Sequence, residues 1–326
     1  MTDKTIWVLA DDRAGNTAQA LGVAEAFVKN PEIKKVRYTR SVVLPNVVRG
    51  ASTLGVTAET VAGLTEPFPD IAVAAGRRAA PLLRYIKKKS GGKTKIVQIM
   101  YPGRFNLSDF DLIVLPRHDG CKLIRPNIMR VTGAPHRITP ERLSIEKEKW
   151  TPVFESLPSP RIALIVGGAT KDKPFTTDMA VDLAERAKAL AEKLGGGSFL
   201  VTTSRRTGAE QEKIIRDALP EPEFFYGWGN KEMENPYFGF LALADHIIVT
   251  GDSVSMCSEA CAADAPVYIY APQGTVGKKH ALLHRELYDD GYAVELTKNP
   301  EPVGQRGHKR LNVADEIAAR IKKWGD

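Results

Sequence analysis

Short apolar runs alternate along this chain with longer segments in which apolar residues recur every three to four positions. In the first half the runs at 5–10, 34–39, 70–75, 94–100, 111–115 and 127–131 predict strands. The segments near 16–29, 54–64 and 77–88 carry the helical period. Ile71-Ala72-Val73-Ala74-Ala75 and Leu112-Ile113-Val114-Leu115 contain no polar residue. Strands covered on both faces read that way, as in a parallel sheet flanked by helices. Thr139-Pro140-Glu141 opens a further helix toward Phe154. Leu157-Pro158-Ser159-Pro160 then interrupts the pattern, because its prolines favour an extended linker.

The alternation restarts with Arg161-Ile162-Ala163-Leu164-Ile165-Val166. Strands are expected at 198–202, 223–226, 246–250 and 266–270, and helices at 176–194, 208–219, 253–263 and 278–289. A last amphipathic segment runs from Asn312, a helix cap, to Trp324. Repeated strand–helix alternation predicts an α/β protein of two Rossmann-like, doubly wound domains facing a central cleft. The expected divisions are 1–155, 161–305, and a closing helix within 306–326 that crosses back to the first domain.

Length agrees, since 326 residues exceed one ordinary domain. No run of eighteen apolar residues occurs, and the strand-like N-terminus is followed by acidic residues, so neither a membrane span nor a signal peptide is expected. Three cysteines without zinc spacing read as buried thiols in a reducing compartment. Charge changes the picture more. Residues 1–150 hold 25 Lys and Arg against 14 Asp and Glu, and the remainder 21 against 25. A basic first half suits an acidic ligand or an anionic membrane surface; the plainer alternative is a solvated surface.

In open α/β sheets, ligands sit where strand ends lead into helix N-termini, whose free N–H groups suit phosphate. Three such loops stand out in the second half. Gly167-Gly168-Ala169-Thr170-Lys171 lets backbone approach a ligand and offers Thr170 and Lys171 to a pyrophosphate. Ser204, Arg205 and Arg206 have an anion-binding composition, though an arginine pair can simply cover a helix. The third is Gly251-Asp252-Ser253-Val254-Ser255, followed by Ser258 and Glu259. Ser255 and Glu259 share a helix face, and a carboxylate about one turn from a phosphate site suits a ribose diol. Plain caps are the alternative. Tyr226, in Tyr226-Gly227-Trp228-Gly229-Asn230, is a candidate for holding a base, and Asn235-Pro236-Tyr237 is either a contact or a loop anchor.

In the first half Asp11, Asp12, Arg13, Gly15 and Asn16 follow the first strand. Either carboxylate is a candidate general base, with N-capping the alternative. Arg77 and Arg78 form another positive loop, and His118 is a second acid–base candidate, whereas His136 reads as structural. The dinucleotide Gly fingerprint, Walker spacing and nucleophile elbow are absent, and Tyr85 with Lys89 belongs to a solvated helix end.

The Asp11–Asn16 opening with Gln19 and Gly22, the Gly167–Lys171 loop, and above all Thr250-Gly251-Asp252-Ser253-Val254-Ser255-Met256-Cys257-Ser258-Glu259-Ala260 resemble the mitochondrial-fission ("elongated mitochondria") family. Its bacterial members are regarded as glycosyltransferases of the GT-B fold, and its plant namesake as a fission factor that recruits a dynamin-related protein. The chain is also similar to the bacterial N-acetylglucosaminyltransferase of peptidoglycan synthesis, in which a Gly-Gly-Ser loop and a Ser-Glu helix bind the donor. By that similarity Glu259 would hold ribose, and Gly167 and Gly168 the phosphate side. That enzyme's Gly-rich first loop is replaced here by Asp11–Asn16, which leaves the acceptor and the base open.

The resemblance implies a metal-independent glycosyltransferase with a nucleotide-sugar as substrate and no cofactor. An unknown acceptor would sit on the basic domain. No nucleic-acid partner is expected, and the location would be cytoplasmic, at most peripheral to the inner face of a membrane. The competing expectations are a non-catalytic nucleotide-binding adaptor and a non-hydrolysing sugar-nucleotide epimerase.

Overall fold

The computed structural model describes residues 4–304 and 309–324. In the first half the chain forms β1 (Ile6–Ala10), α1 (Ala14–Glu25), β2 (Glu32–Lys35), α2 (Asn46–Arg49), α3 (Ala58–Ala62), β3 (Ile71–Ala75), α4 (Ala80–Lys89), β4 (Lys95–Ile99), β5 (Leu112–Pro116) and β6 (Ile128–Val131). After α5 (Pro140–Phe154) come β7 (Arg161–Val166), α6 (Thr177–Lys193), β8 (Ser198–Thr203), α7 (Ala209–Ala218), β9 (Glu223–Tyr226), α8 (Tyr237–Leu243), β10 (His246–Thr250), α9 (Val254–Ala260), β11 (Val267–Tyr270), α10 (Lys278–Asp289), β12 (Val294–Glu295) and α11 (Val313–Lys322).

Each half builds one six-stranded sheet, and every strand pairing is parallel. The apolar runs of β3 and β5 are buried throughout, as strands covered on both faces must be. The first sheet runs β2-β1-β3-β4-β5-β6 and the second β12-β11-β10-β7-β8-β9. The second is therefore wound outward from β7 in the order of a dinucleotide-binding sheet, and the first in the order of a flavodoxin-like one. The direction of winding reverses between β1 and β3 in one sheet and between β7 and β10 in the other. The fold is α/β, with two Rossmann-like doubly wound halves.

The chain divides into two compact units, Met1–Arg137 with Asn312–Asp326, and Ile138–Leu311. Read from sequence, the division fell at the prolines near 158; in the structure α5 belongs to the second unit. Aromatic packing is the reason. Phe154 stacks edge-on against Phe224 at 4.8 Å and tilts against Phe240 at 5.5 Å. Trp150 presses so closely on α8 that a Cβ at Gly239 would stand 2.4 Å from its ring. The last helix, α11, packs on α1 in the first unit and buries Val313, Ile317 and Ile321. The division read at 305/306 lies outside the described residues.

Two local differences also have simple causes. The strand read at 34–39 runs instead over Glu32–Lys35, because Tyr38 leaves the sheet to bridge Val56. The four-residue helix α2 is too short to show a period in sequence.

Candidate functional site

In the second unit, three strand-end loops meet at the switch point between β7 and β10. Gly167 N–H donates to Thr250 Oγ1 at 2.7 Å, tying the end of β7 to that of β10. A Cβ at Gly167 would stand 2.3 Å from the Asp252 carboxylate, and one at Gly168 would stand 2.1 Å from the Arg206 carbonyl oxygen. Gly168 also has a φ of +140°, where a side chain is strained. The glycines are thus required by the approach of neighbouring loops. The loop after β8 completes the knot. Ser204 Oγ and Thr207 Oγ1 donate to the Gly167 carbonyl at 2.5 and 2.6 Å. Ala169 N–H donates to the Arg206 carbonyl at 2.9 Å, and Arg206 Nη1 returns a bond to the Ala169 carbonyl at 3.0 Å.

Arg206 also pairs with Asp252 at 2.5 Å, where the carboxylate is almost wholly buried. A buried carboxylate beside a prospective phosphate site would repel it; the guanidinium neutralises that charge. Ser204 therefore fastens the loops, and Arg206 serves the loops and Asp252 together. Arg205 and Lys171 are exposed, while Thr170 is partly so.

Along α9 the polar residues divide by role. Ser253 is the cap and accepts from Met256 N–H at 3.3 Å. Ser258 is fully buried and donates into its own helix, to the Val254 carbonyl at 2.8 Å, so it turns away from solvent. Ser255 stays partly exposed. Gly251 is pressed by His284, whose Nε2 lies 2.9 Å from the Gly251 carbonyl oxygen. Glu259, one turn beyond Ser255, accepts a 2.6 Å hydrogen bond from the Tyr237 hydroxyl. Burial pushes the Glu259 carboxyl above its ordinary value, against the Tyr237 bond and the positive charge of Arg142. Tyr237 is raised well above a free phenol, by burial and by Glu259.

Beside this cluster a cavity of about 370 Å³ opens over the ends of β7, β8 and β9. Tyr226, Trp228, Asn235, Tyr237 and Met256 edge it. Tyr226 closes its own loop by donating to the Asn230 carbonyl at 3.1 Å. Trp228 is 61% exposed, a large unsupported ring at the rim, although its backbone N–H donates to Thr203 Oγ1 at 2.8 Å.

The first unit has its own polar cluster at the β1/β3 switch. Asp11 and Asp12 are neighbours in sequence but not in environment: their side chains are 2% and 68% exposed. Asp11 accepts from Arg13 N–H at 3.0 Å, Asn16 Nδ2 at 3.1 Å and Arg78 Nη2 at 2.9 Å. It thereby caps the start of α1, which has no other side-chain cap. Asn16 packs on Gly76, whose φ is +86°, while Gly15 lies within α1. Arg78 also contacts Asp12 and lies over the Tyr38 ring at 4.5 Å. Its hydrogen bond holds the Asp12 carboxyl below the usual carboxylate range. Arg77 is exposed. His118 is buried in the turn after β5, three strand positions from β1, or roughly 14 Å along the sheet. It does not share the Asp11–Asp12 loop.

Sequence reasoning missed two groups of the second unit. His280, in the first turn of α10, is lowered by burial while Asp252 opposes that shift and Arg206 adds to it, which places it beside that ion pair. Arg142, on α5, lies over Phe238 at 4.0 Å and acts on Glu259. Both come from distant helices, and only folding brings them in. Among the described residues no group of three or more His, Cys, Asp or Glu could hold a metal, and no helix is long and apolar enough to cross a membrane.

A family described as "Mitochondrial fission ELM1" matches residues 14–324. An uncharacterised protein of Rickettsia prowazekii is 30% identical, over 97% of each chain. The mitochondrial fission protein ELM1 of Arabidopsis thaliana is 29% identical over 78% of this chain, which spans 64% of that protein. Among solved structures, the UDP-GlcNAc 2-epimerase of Methanocaldococcus jannaschii, in complex with UDP-GlcNAc and UDP, superposes with a TM-score of 0.50. It is 15% identical and covers 98% of this chain and 99% of that one, so the fold is shared.

Proposed function

The chain belongs to the mitochondrial fission ELM1 family, and on that premise we propose that its second unit binds a nucleoside diphosphate sugar for glycosyl transfer. One observation carries the reading. The loops of Gly167–Lys171, Ser204–Arg206 and Gly251–Ser255 converge at the switch point of a dinucleotide-ordered sheet. Glu259 stands one helical turn farther on, ~6 Å by helix rise. Backbone N–H groups and the exposed Arg205 and Lys171 would hold the pyrophosphate. Glu259 would leave Tyr237 to accept the ribose hydroxyls, and Trp228 and Tyr226 would flank the base.

In the transfer, an acceptor hydroxyl oxygen forms a bond to the anomeric carbon as the bond to the diphosphate oxygen breaks. The diphosphate departs with the bonding pair, and backbone N–H groups stabilise its charge. The hydroxyl proton passes to a general base. Among the carboxylates singled out in the first unit, Asp12 is the accessible candidate, and Asp11 caps a helix. Because Arg78 depresses Asp12, an acidic acceptor that drew Arg78 to itself would restore its basicity. Arg13, Asn16 and Arg77 would line the acceptor side.

The shared fold with a nucleotide-sugar epimerase supports a second reading, turnover of the nucleotide-sugar without an acceptor. The name of the Arabidopsis relative supports a third, an adaptor that binds nucleotide without turnover. Calorimetry with a panel of nucleoside diphosphates and their sugars separates them. The wild type is expected to bind at least one, and Glu259→Ala to bind it about ten- to hundredfold more weakly, the loss of a charged hydrogen-bond acceptor. No binding by any nucleotide overturns both enzyme readings, and equal binding by the variant overturns the role of Glu259.

A further inference from the structure

Large apolar side chains seldom stand free in a cluster on a water-soluble surface. Between β2 and α3 this chain displays four within six residues: Val43, Leu44, Val47 and Val48, with Val43 and Val48 at 76% and 62% exposure. Phe105, in the loop after β4, is exposed as well. The two segments meet. Asn46 Nδ2 donates to the carbonyls of Arg77 and Pro102 at 2.8 Å, and Val47 and Phe105 border one cavity of about 180 Å³.

The display is built, not slack. Arg49, nearly fully buried, clamps the turn from beneath: its Nε donates to the Leu54 carbonyl at 2.9 Å and its Nη1 to the Arg78 carbonyl at 3.0 Å. With the guanidinium inside, the valines are held out. Around them Arg40, Arg77 and Arg104 are exposed, and residues 40–49, 76–84 and 101–106 include no Asp or Glu.

We propose that this face docks the protein on an anionic lipid bilayer. Val43, Leu44, Val47, Val48 and Phe105 enter the acyl boundary, and Arg40, Arg77 and Arg104 meet headgroup phosphates. Apolar insertion with a basic rim is the composition that such an interface selects. A second copy fits poorly, since a two-fold contact would set arginine against arginine. The inference stands without the nucleotide site, which lies in the other unit. Its bearing on function is one of place: the face is made by segments that follow the carboxyl ends of β2 and β4, and Asp12 and Arg78 follow those of β1 and β3 in the same parallel sheet. A membrane-borne acceptor would therefore arrive beside that pair.

Sedimentation of the full chain with vesicles tests the proposal. Vesicles of phosphatidylglycerol and phosphatidylcholine in equal parts are expected to carry the protein down, and phosphatidylcholine alone to leave it in solution. Raised salt should weaken the association. The triple variant V43S/V47S/V48S, with all changes at exposed positions, should keep the wild-type unfolding temperature and lose binding on the order of tenfold or more. Arg104→Gln should lose on the order of fivefold. Equal binding by wild type and triple variant, equal binding to both vesicle types, or no vesicle binding overturns it. So does self-association, or capture of a protein partner, that the triple variant abolishes in the absence of lipid binding. Nucleotide affinity should be unchanged in the triple variant, so failure of either proposal leaves the other standing.

Discussion

Glu259 and Tyr237 form a proton-sensitive pair. Because the Glu259 carboxyl is raised in the folded protein, the native state keeps a proton that the unfolded chain, with an ordinary value of about 4.3, has released. Stability should fall as pH rises from that ordinary value toward that of Glu259, and level off above it. The nucleotide binding proposed for the Glu259 carboxylate should strengthen over the same window. Tyr237→Phe removes a bond that favours the charged form. It should cost about 1–3 kcal/mol of stability and move the pH dependence of binding upward, both measurable by thermal unfolding and calorimetry across pH. Helical spacing alone made the relation of Ser255 to Glu259 legible in the sequence. Tyr237 was not legible as its partner, because the two are twenty-two positions apart and only the packing of α8 against the second sheet brings them together. The two aspartates show the converse. Sequence presents Asp11 and Asp12 as equals, and the turn after β1 buries Asp11 while leaving Asp12 largely exposed, with Arg78 pairing to both.

At the scale of elements, the loop after β7 is set by contact with its neighbours. Gly168→Ala would drive a methyl group into the Arg206 carbonyl at a backbone angle that side chains avoid. It should destabilise the protein by roughly 2 kcal/mol or more and abolish nucleotide binding, since the loop cannot lie against Arg206. An unchanged unfolding temperature would show that the loop tolerates displacement. Strands were the most legible elements, because burial on both faces leaves an unbroken apolar run. Elements whose existence depends on distant partners were not. The helix α2 has four residues and no period of its own, and α5 joins the second unit through contacts such as those of Trp150 and Phe154 with α8 and β9. A proline-rich stretch was a reasonable boundary on local grounds, but aromatic packing decided otherwise.

At the scale of the molecule, the chain leaves its first unit at Arg137 and returns to it at Asn312. Asn312 caps α11 by accepting from Asp315 N–H at 3.3 Å, and Ile317 is fully buried in the first unit. Ile317→Ala should cost about 2–4 kcal/mol, seen as an earlier unfolding step, while nucleotide affinity in the second unit is kept. Loss of both together would mean that the units unfold as one. The interrupted first unit has a consequence for how the protein is made. Emerging from a ribosome at about 5–20 residues per second, the chain completes its second unit before its first, although the first begins earlier. The first unit must wait roughly 10–40 seconds for α11. During that interval the side of α1 that receives α11 lies open to chaperones, so a truncated message would yield a finished second unit attached to an unfinished first one.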